Sequence, residues 1–301
     1  MTRFGVPPGA IVVGVDGSGD SDRGVTWAAE QALRERRTLA LVHSTDRSVL
    51  GEIRWLDRHS MNPQQLRTAL QELSRATLTH AAERAAAQVP GVEVTTALVD
   101  LDPRVALEQL STEAHLVVVG SRGRGPVESA LLGSVSASMA RHAHCPVIVC
   151  RPSAGPLQGE ARVVVGADGS PASRPVLEFA FAQASLHGLP LTVMHCFWDA
   201  VMAAAGPGAV LPVDRSDLSD LRLLLAESVA GLAAKYPDVR VSQELARGLV
   251  DDCLADRTPD AALLVVGRSE VHGWTRFVHT SCALAVLERA HTTVAVVPES
   301  T

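Results

Sequence analysis

A chain of 301 residues with 47% hydrophobic and 20% charged residues carries enough apolar mass for two globular domains of ordinary size. Its net charge of −6 sets up no field that attracts a nucleic-acid backbone, and arginine clusters such as Arg34-Glu35-Arg36-Arg37 are interrupted by acids. No apolar run reaches the roughly 18 residues of a membrane span, the opening MTRFGVPPGA lacks a secretory signal, and five cysteines without a CxxC pair read as reduced thiols, so neither nucleic acid nor membrane is an expected partner and the expected location is the cytoplasm.

After Pro7 and Pro8, the run IVVGV predicts a strand near 11–16, ending in Asp16-Gly17-Ser18. A segment of helical period follows near 21–37, then a strand near 38–43 that closes on Val42 and His43. A long helix is expected near 62–88, a strand near 92–99, a helix near 103–114 and a fourth strand near 115–120. That strand runs into VVVGSRGRGPVESALLGSVSAS, after which a helix near 133–143 and a fifth strand near 146–150 are expected. The strands are continuously apolar rather than alternating, as in a parallel sheet covered by helices on both faces.

The series then starts again. AIVVGVDGS at 10–18 returns as RVVVGADGS at 162–170, and LALVHS at 39–44 returns as LTVMHC at 191–196, both at an offset of 152. HLVVVGSRG (115–123) and HCPVIVCR (144–151) return as ALLVVGRSE (262–270) and HTTVAVVP (291–298) at an offset of 147. The Pro- and Gly-rich stretch RPSAGPLQGEA reads as the joint. Two homologous domains, 1–152 and 160–301, are predicted.

Ligands of such sheets bind beyond the carboxyl ends of the strands, near the point where strand order reverses. Gly120, Gly123, Gly133 and Ser134 stand out there. Gly120 would let a ligand approach the backbone. Gly123 would adopt a positive φ and turn loop amides toward an anion. Gly133 and Ser134 would open a helix whose N-terminus favours phosphate, Ser134 capping it or donating to a phosphate oxygen. Ser121, Arg122 and Arg124 share the loop, and Val135 and Ser136 the helix start. An ordinary glycine-rich turn before a capped helix fits the same residues. Asp16, with Gly14 and Ser18 beside it, could bind a ribose hydroxyl or hold Mg²⁺ on a polyphosphate; equally, Asp16 or Ser18 could cap the next helix. Val42 and His43 could present backbone groups to a purine edge, and the His43 side chain reads as structural.

A Walker A loop is excluded because the only lysine, Lys235, lies in AAKYPD. KMSKS and SGGxDS loops and a GxSxG nucleophile elbow are absent. The His142-Ala-His144-Cys145 cluster has no second ligand pair, which argues against a structural metal.

With these segments in hand, the chain resembles a tandem universal stress protein, with two UspA-type domains. Gly120, Gly123, Gly133 and Ser134 match the G-x2-G-x9-G-[ST] motif of that family's ATP-binding members in full, and the VDGS, VHS and His-Cys-Pro segments match as well. The resemblance implies two Rossmann-like α/β domains, each a five-stranded parallel sheet of order 3-2-1-4-5. It implies ATP, with Mg²⁺ carried on its phosphates, its adenine near Asp16 and Val42 and its phosphates between Gly120–Arg124 and Gly133–Ser136. It also implies that the two domains pair as a pseudo-dimer through their fifth strands, a homodimer being a further option. In the second copy Gly267 aligns with Gly120, but Glu270 replaces Gly123 and Thr280 replaces Gly133, with Ser281 retained. One nucleotide per chain is therefore expected. The leading reading is an ATP-binding regulator in a stress response. The alternatives are a nucleotide-free interaction scaffold and a weak ATPase or self-phosphorylating protein with Ser134 or Ser136 as acceptor; no general base is evident for the last, so the chain reads as a binder rather than an enzyme.

Overall fold

The structure, a computed structural model, describes residues 4–45, 63–123, 132–152, 161–197, 218–257, 261–268 and 276–300. The chain divides into two compact units, Met1–Arg151 and Pro152–Thr301.

Unit 1 runs β1 (Ile11–Gly14), α1 (Gly19–Glu35), β2 (Leu39–Ser44), α2 (Pro63–Gln88), β3 (Val94–Val99), α3 (Pro103–Ser111), β4 (Leu116–Gly120), α4 (Ser134–His142) and β5 (Val147–Cys150). All its strand pairs are parallel, in the order β3-β2-β1-β4-β5. The sheet forms because Ile11–Val13, Leu39–Leu41 and Leu116–Val118 present apolar side chains to both faces and are wholly buried. Each buried Val, Leu or Ile among them contributes ~1.5–3 kcal/mol relative to exposure. Strand β3 departs from the expected continuous apolarity. It is the sheet edge, and along it Ala97 and Val99 are buried while Thr96 and Leu98 are exposed.

Helix α1 starts two residues earlier than expected. Ser18 is its N-cap, accepting from the Ser21 amide at 3.2 Å, and Asp20 and Asp22 in the first turn suit the positive end of the dipole. Val25, Ala28, Ala29 and Ala32 form its buried stripe at helical spacing. Helix α3 is capped by Asp102, whose carboxylate accepts from the Arg104 amide at 2.8 Å, with Pro103 at the first turn.

Unit 2 repeats the scheme as β6 (Arg162–Gly166), a 3-10 turn at Pro171–Ser173, α5 (Arg174–His187), β7 (Leu191–Phe197), α6 (Ser219–Lys235), β8 (Val241–Arg247), α7 (Val250–Arg257), β9 (Ala261–Arg268), α8 (Arg276–Arg289) and β10 (Val294–Pro298). Its parallel order, β8-β7-β6-β9-β10, is again 3-2-1-4-5. No helix among the described residues is long and apolar enough to cross a membrane.

Candidate functional site

At the carboxyl ends of β1, β2 and β4, unit 1 holds a cavity of about 650 Å³, a size typical of small-molecule sites. It lies at the strand-order switch point. Ten of the thirteen predicted residues line it: Gly14, Asp16 and Val42 on one side, Gly120, Arg122 and Gly123 after β4, and Gly133, Ser134, Val135 and Ser136 at the start of α4. Ser18 and Ser121 are not in the lining, and Arg124 lies outside the described residues. One wall was not foreseen. Pro103, Ala106 and Leu107 of α3, with Val119 and Leu132, make it apolar. The spacing of the α3 residues marks a helix face in the sequence, but nothing local says that a cavity lies in front of it.

Asp16 is held in place by its neighbours. Its Oδ1 accepts from the Ser18 amide at 2.9 Å and from the Ser18 hydroxyl at 2.6 Å, while Ser18 caps α1. A Cβ built on Gly123 would stand 2.5 Å from Asp16 Oδ2. Gly123 is not among the glycines with positive φ, which corrects the expected reason for glycine there. The position is bare because the Asp16 carboxylate fills the space. Gly120 has a further reason to be bare: a Cβ on it would lie 2.7 Å from the Asp20 backbone carbon, so its bareness admits the close approach of α1.

At α4 the N-cap is Gly133, with no side-chain cap bond; Ser134 is the first helical residue, exposed, and not the cap that its type suggests. The Gly133 amide donates to the Ser121 carbonyl at 2.8 Å, and the Ala137 amide to the Gly133 carbonyl at 2.9 Å. The amides of Ser134, Val135 and Ser136 therefore have no acceptor within their own helix. The buried Ser136 hydroxyl donates to the Gly120 carbonyl at 2.6 Å and is committed there.

On the opposite wall the Val15 amide donates to the Val42 carbonyl at 2.8 Å. His43 Nδ1 lies 2.6 Å from the Val15 carbonyl oxygen; a carbonyl only accepts, so Nδ1 carries the proton of that bond. His43 thus ties the ends of β1 and β2 together. Unit 2 repeats the pair, with His195 Nδ1 at 3.0 Å from the Ala167 carbonyl.

Unit 2 keeps part of the base-side arrangement. Asp168 Oδ1 accepts from the Ser170 amide at 2.8 Å. Burial pushes the Asp168 carboxyl up, but bonds from Ser170 and Ser173 outweigh it and hold the group below the usual carboxylate range. Leu254 faces Gly166 as Leu107 faces Gly14. On that correspondence Cys196, Cys253 and Cys282 stand where unit 1 has Ser44, Ala106 and Val135, all three of which line its cavity. The helix after β9 differs more. Helix α8 begins at Arg276, four residues before Thr280. Thr280 is therefore inside a helix and not at its start, as the alignment had suggested. Glu270 lies outside the described residues, as do the side chains of Thr280 and Ser281.

Fold and site together define a duplicated, doubly wound α/β protein with a ligand-sized cavity at the switch point of its first unit. The sequence profile of the universal stress protein family matches residues 9–151 and 161–298. Universal stress protein Rv2623 of Mycobacterium tuberculosis is 32% identical over 301 residues, covering 96% of both chains. Universal stress protein Rv2005c of the same species is 34% identical over 296 residues, covering 96% of this chain and 97% of that one. The crystal structure of a universal stress protein from Archaeoglobus fulgidus DSM 4304 shares the fold at a TM-score of 0.68 and 19% identity, over 97% of this chain and 96% of that one. The chain belongs to the universal stress protein family.

Proposed function

We propose that unit 1 binds ATP in this cavity and that occupancy, not chemistry, is its output, as a regulator in a stress response. The observation that carries the reading is the pairing of a ligand-sized cavity with the three leading amides of α4 at its rim. Those amides and the helix dipole suit a phosphate group. The exposed Arg122 guanidinium adds positive charge, and the wall of Leu107, Val119 and Leu132 suits a flat apolar base. Asp16 is the one carboxylate in the described lining and would meet a ribose hydroxyl or Mg²⁺ on the phosphates; Mg²⁺ commonly takes only one or two carboxylates beside phosphate oxygens.

Binding rather than turnover is favoured by what the polar groups already do. The proton on His43 Nδ1 is bonded to Val15, Asp16 is held by Ser18, and the Ser136 hydroxyl is spent on Gly120. The Ser136 hydroxyl is thereby withdrawn as a phosphoryl acceptor. For unit 2 the early start of α8 favours a nucleotide-free role, because the amides that match those of Ser134–Ser136 fall inside a helix. We infer a cytoplasmic location, consistent with five free cysteines. Denaturing the purified protein and identifying the released compound by absorbance and mass tests the reading, with calorimetry on stripped protein as the second step. Absence of both nucleotide and binding heat would overturn it.

A further inference from the structure

In unit 1 the side chain of Asp20, in the first turn of α1, reaches the loop that leaves β4. Its Oδ2 accepts from the Ser121 hydroxyl at 2.7 Å and from the Arg122 amide at 3.0 Å, while Oδ1 pairs with the Arg23 guanidinium. This approach is possible because Gly120 is bare: a Cβ there would also lie 2.8 Å from Asp20 Cβ.

Unit 2 brings a carboxylate to the corresponding strand end from another part of the chain. The repeat places Ala172 where unit 1 has Asp20, and Ala172 has no carboxylate. Beyond β10, however, the Glu299 amide donates to the Arg268 carbonyl at 3.0 Å and the Ser300 amide to the Ala172 carbonyl at 3.2 Å. These bonds lay Glu299 over Gly267, the counterpart of Gly120: a Cβ on Gly267 would stand 3.0 Å from Glu299 Cδ. A helix start in one unit and a segment after the last strand in the other thus bring a carboxylate to the same strand-end glycine.

We propose that this carboxylate is a positioning device in both units, and that Asp20 is a positioning residue of the nucleotide site, a step that rests on the ATP reading above. Asp20 fixes the direction in which the chain leaves β4 and so the place of Gly123 beside Asp16. It also decides which groups receive the ligand's phosphates. The Arg122 amide is committed to Asp20 and the Gly133 amide to Ser121. Phosphate oxygens are left to the amides of Ser134–Ser136 and to the Arg122 guanidinium.

Calorimetric titration of ATP into wild type, Asp20→Asn and Asp20→Ala tests this. Asparagine can set its carbonyl oxygen where Oδ2 stands and accept from both the Ser121 hydroxyl and the Arg122 amide, with Arg23 released to solvent, so affinity stays within about twofold. Alanine leaves both loop donors without that acceptor, and affinity falls roughly tenfold or more while circular dichroism is unchanged. Wild-type binding with equal affinity in Asp20→Ala overturns the role of Asp20. No binding by wild type overturns the nucleotide reading instead, and the device is then decided in unit 2. There, Glu299→Ala speeds hydrogen exchange at the β9 end, and adding Ala172→Asp slows it again. Exchange unaltered by Glu299→Ala, or not restored by Ala172→Asp, overturns the device in that unit.

Discussion

Gly123 and Asp16 share one space: an atom added to Gly123 would lie 2.5 Å from the Asp16 Oδ2 atom. The end of β1 and the loop after β4 therefore touch through a carboxylate and a bare backbone. Gly123→Glu forces a second carboxylate against the first. In the site it also faces the ligand's phosphates: at an effective dielectric near 20, the new carboxylate and one phosphate charge about 4 Å apart repel by about 4 kcal/mol. ATP affinity should fall by up to about a thousandfold, with the circular dichroism of the sheet and helices intact. Titration of the variant checks it, and unchanged affinity would remove Gly123 from the site.

Calorimetry should return about one ATP per chain. Helix α4 begins directly after Gly133, whereas α8 begins at Arg276, ahead of Thr280. Gly133→Thr should abolish the single site by setting a branched side chain at the start of α4, where the phosphates would sit; within the protein its Cβ meets only a tight 3.3 Å contact with the Ser121 carbonyl oxygen, which a small shift relieves. Two sites of similar affinity would refute the asymmetry.

Acid should destabilise unit 1 through Glu35. Burial pushes its carboxyl up, but the hydrogen bond and charge of His115, with Gln31 and Arg37, outweigh burial and hold it below the usual value of 4.5. His115 Nε2 is 2.9 Å from Glu35 Oε2, and Gln31 Nε2 donates to Oε1 at 2.6 Å. A folded-state value below the unfolded one gives stability that is full above pH 4.5 and is lost as pH falls through the folded value. Glu35→Gln should cost about 1–3 kcal/mol at neutral pH, the difference from wild type shrinking below pH 4.5. Urea unfolding at several pH values measures both, and a constant difference across that range would contradict the assignment.

Cys282 should alkylate slowly. Burial first, then the negative charges of Asp251 and Glu299, push its thiol above the ordinary value, so the thiolate that reacts is scarce at neutral pH. Iodoacetamide labelling followed by mass spectrometry should find it behind a free thiol at pH 8, and Glu299→Ala should speed it. Labelling at the free-thiol rate in wild type would defeat the prediction.

Halves produced separately, cut within 152–160, should self-associate. Strand β5 in unit 1 and β10 in unit 2 close their own sheets with uncharged apolar runs, VIVC and VAVVP. Such edges usually pair or aggregate when bare. Two monodisperse monomers on gel filtration would count against it.

The parts of the molecule written in short stretches of chain were legible. The repeat of Asp16 and Ser18 in Asp168 and Ser170 announced two equivalent strand ends, and apolar runs announced parallel strands. The glycine spacing marked residues that do share one cavity. The reasons for those glycines were not legible, because they depend on partners far away in sequence. Asp20 meets Ser121 across 101 residues, and no periodicity carries a contact of that range. Ser134 misled for a local reason. Its type suits a cap, yet the chain reaches α4 with Gly133 in the extended conformation and the helix starts one residue later.

Lys235 ends α6, exposed, with its ammonium 5.3 Å from the Tyr236 ring centre, and it is the only lysine in the chain. Unit 1 accordingly has no lysine amine for an acylating or aldehyde-bearing nucleotide probe to capture. Lysine-directed surveys of nucleotide-binding proteins would pass this chain over even when it is saturated with ATP. The same scarcity makes Lys235 a near-unique handle, so a dye or surface tether can be attached in unit 2 while the cavity of unit 1 stays chemically untouched.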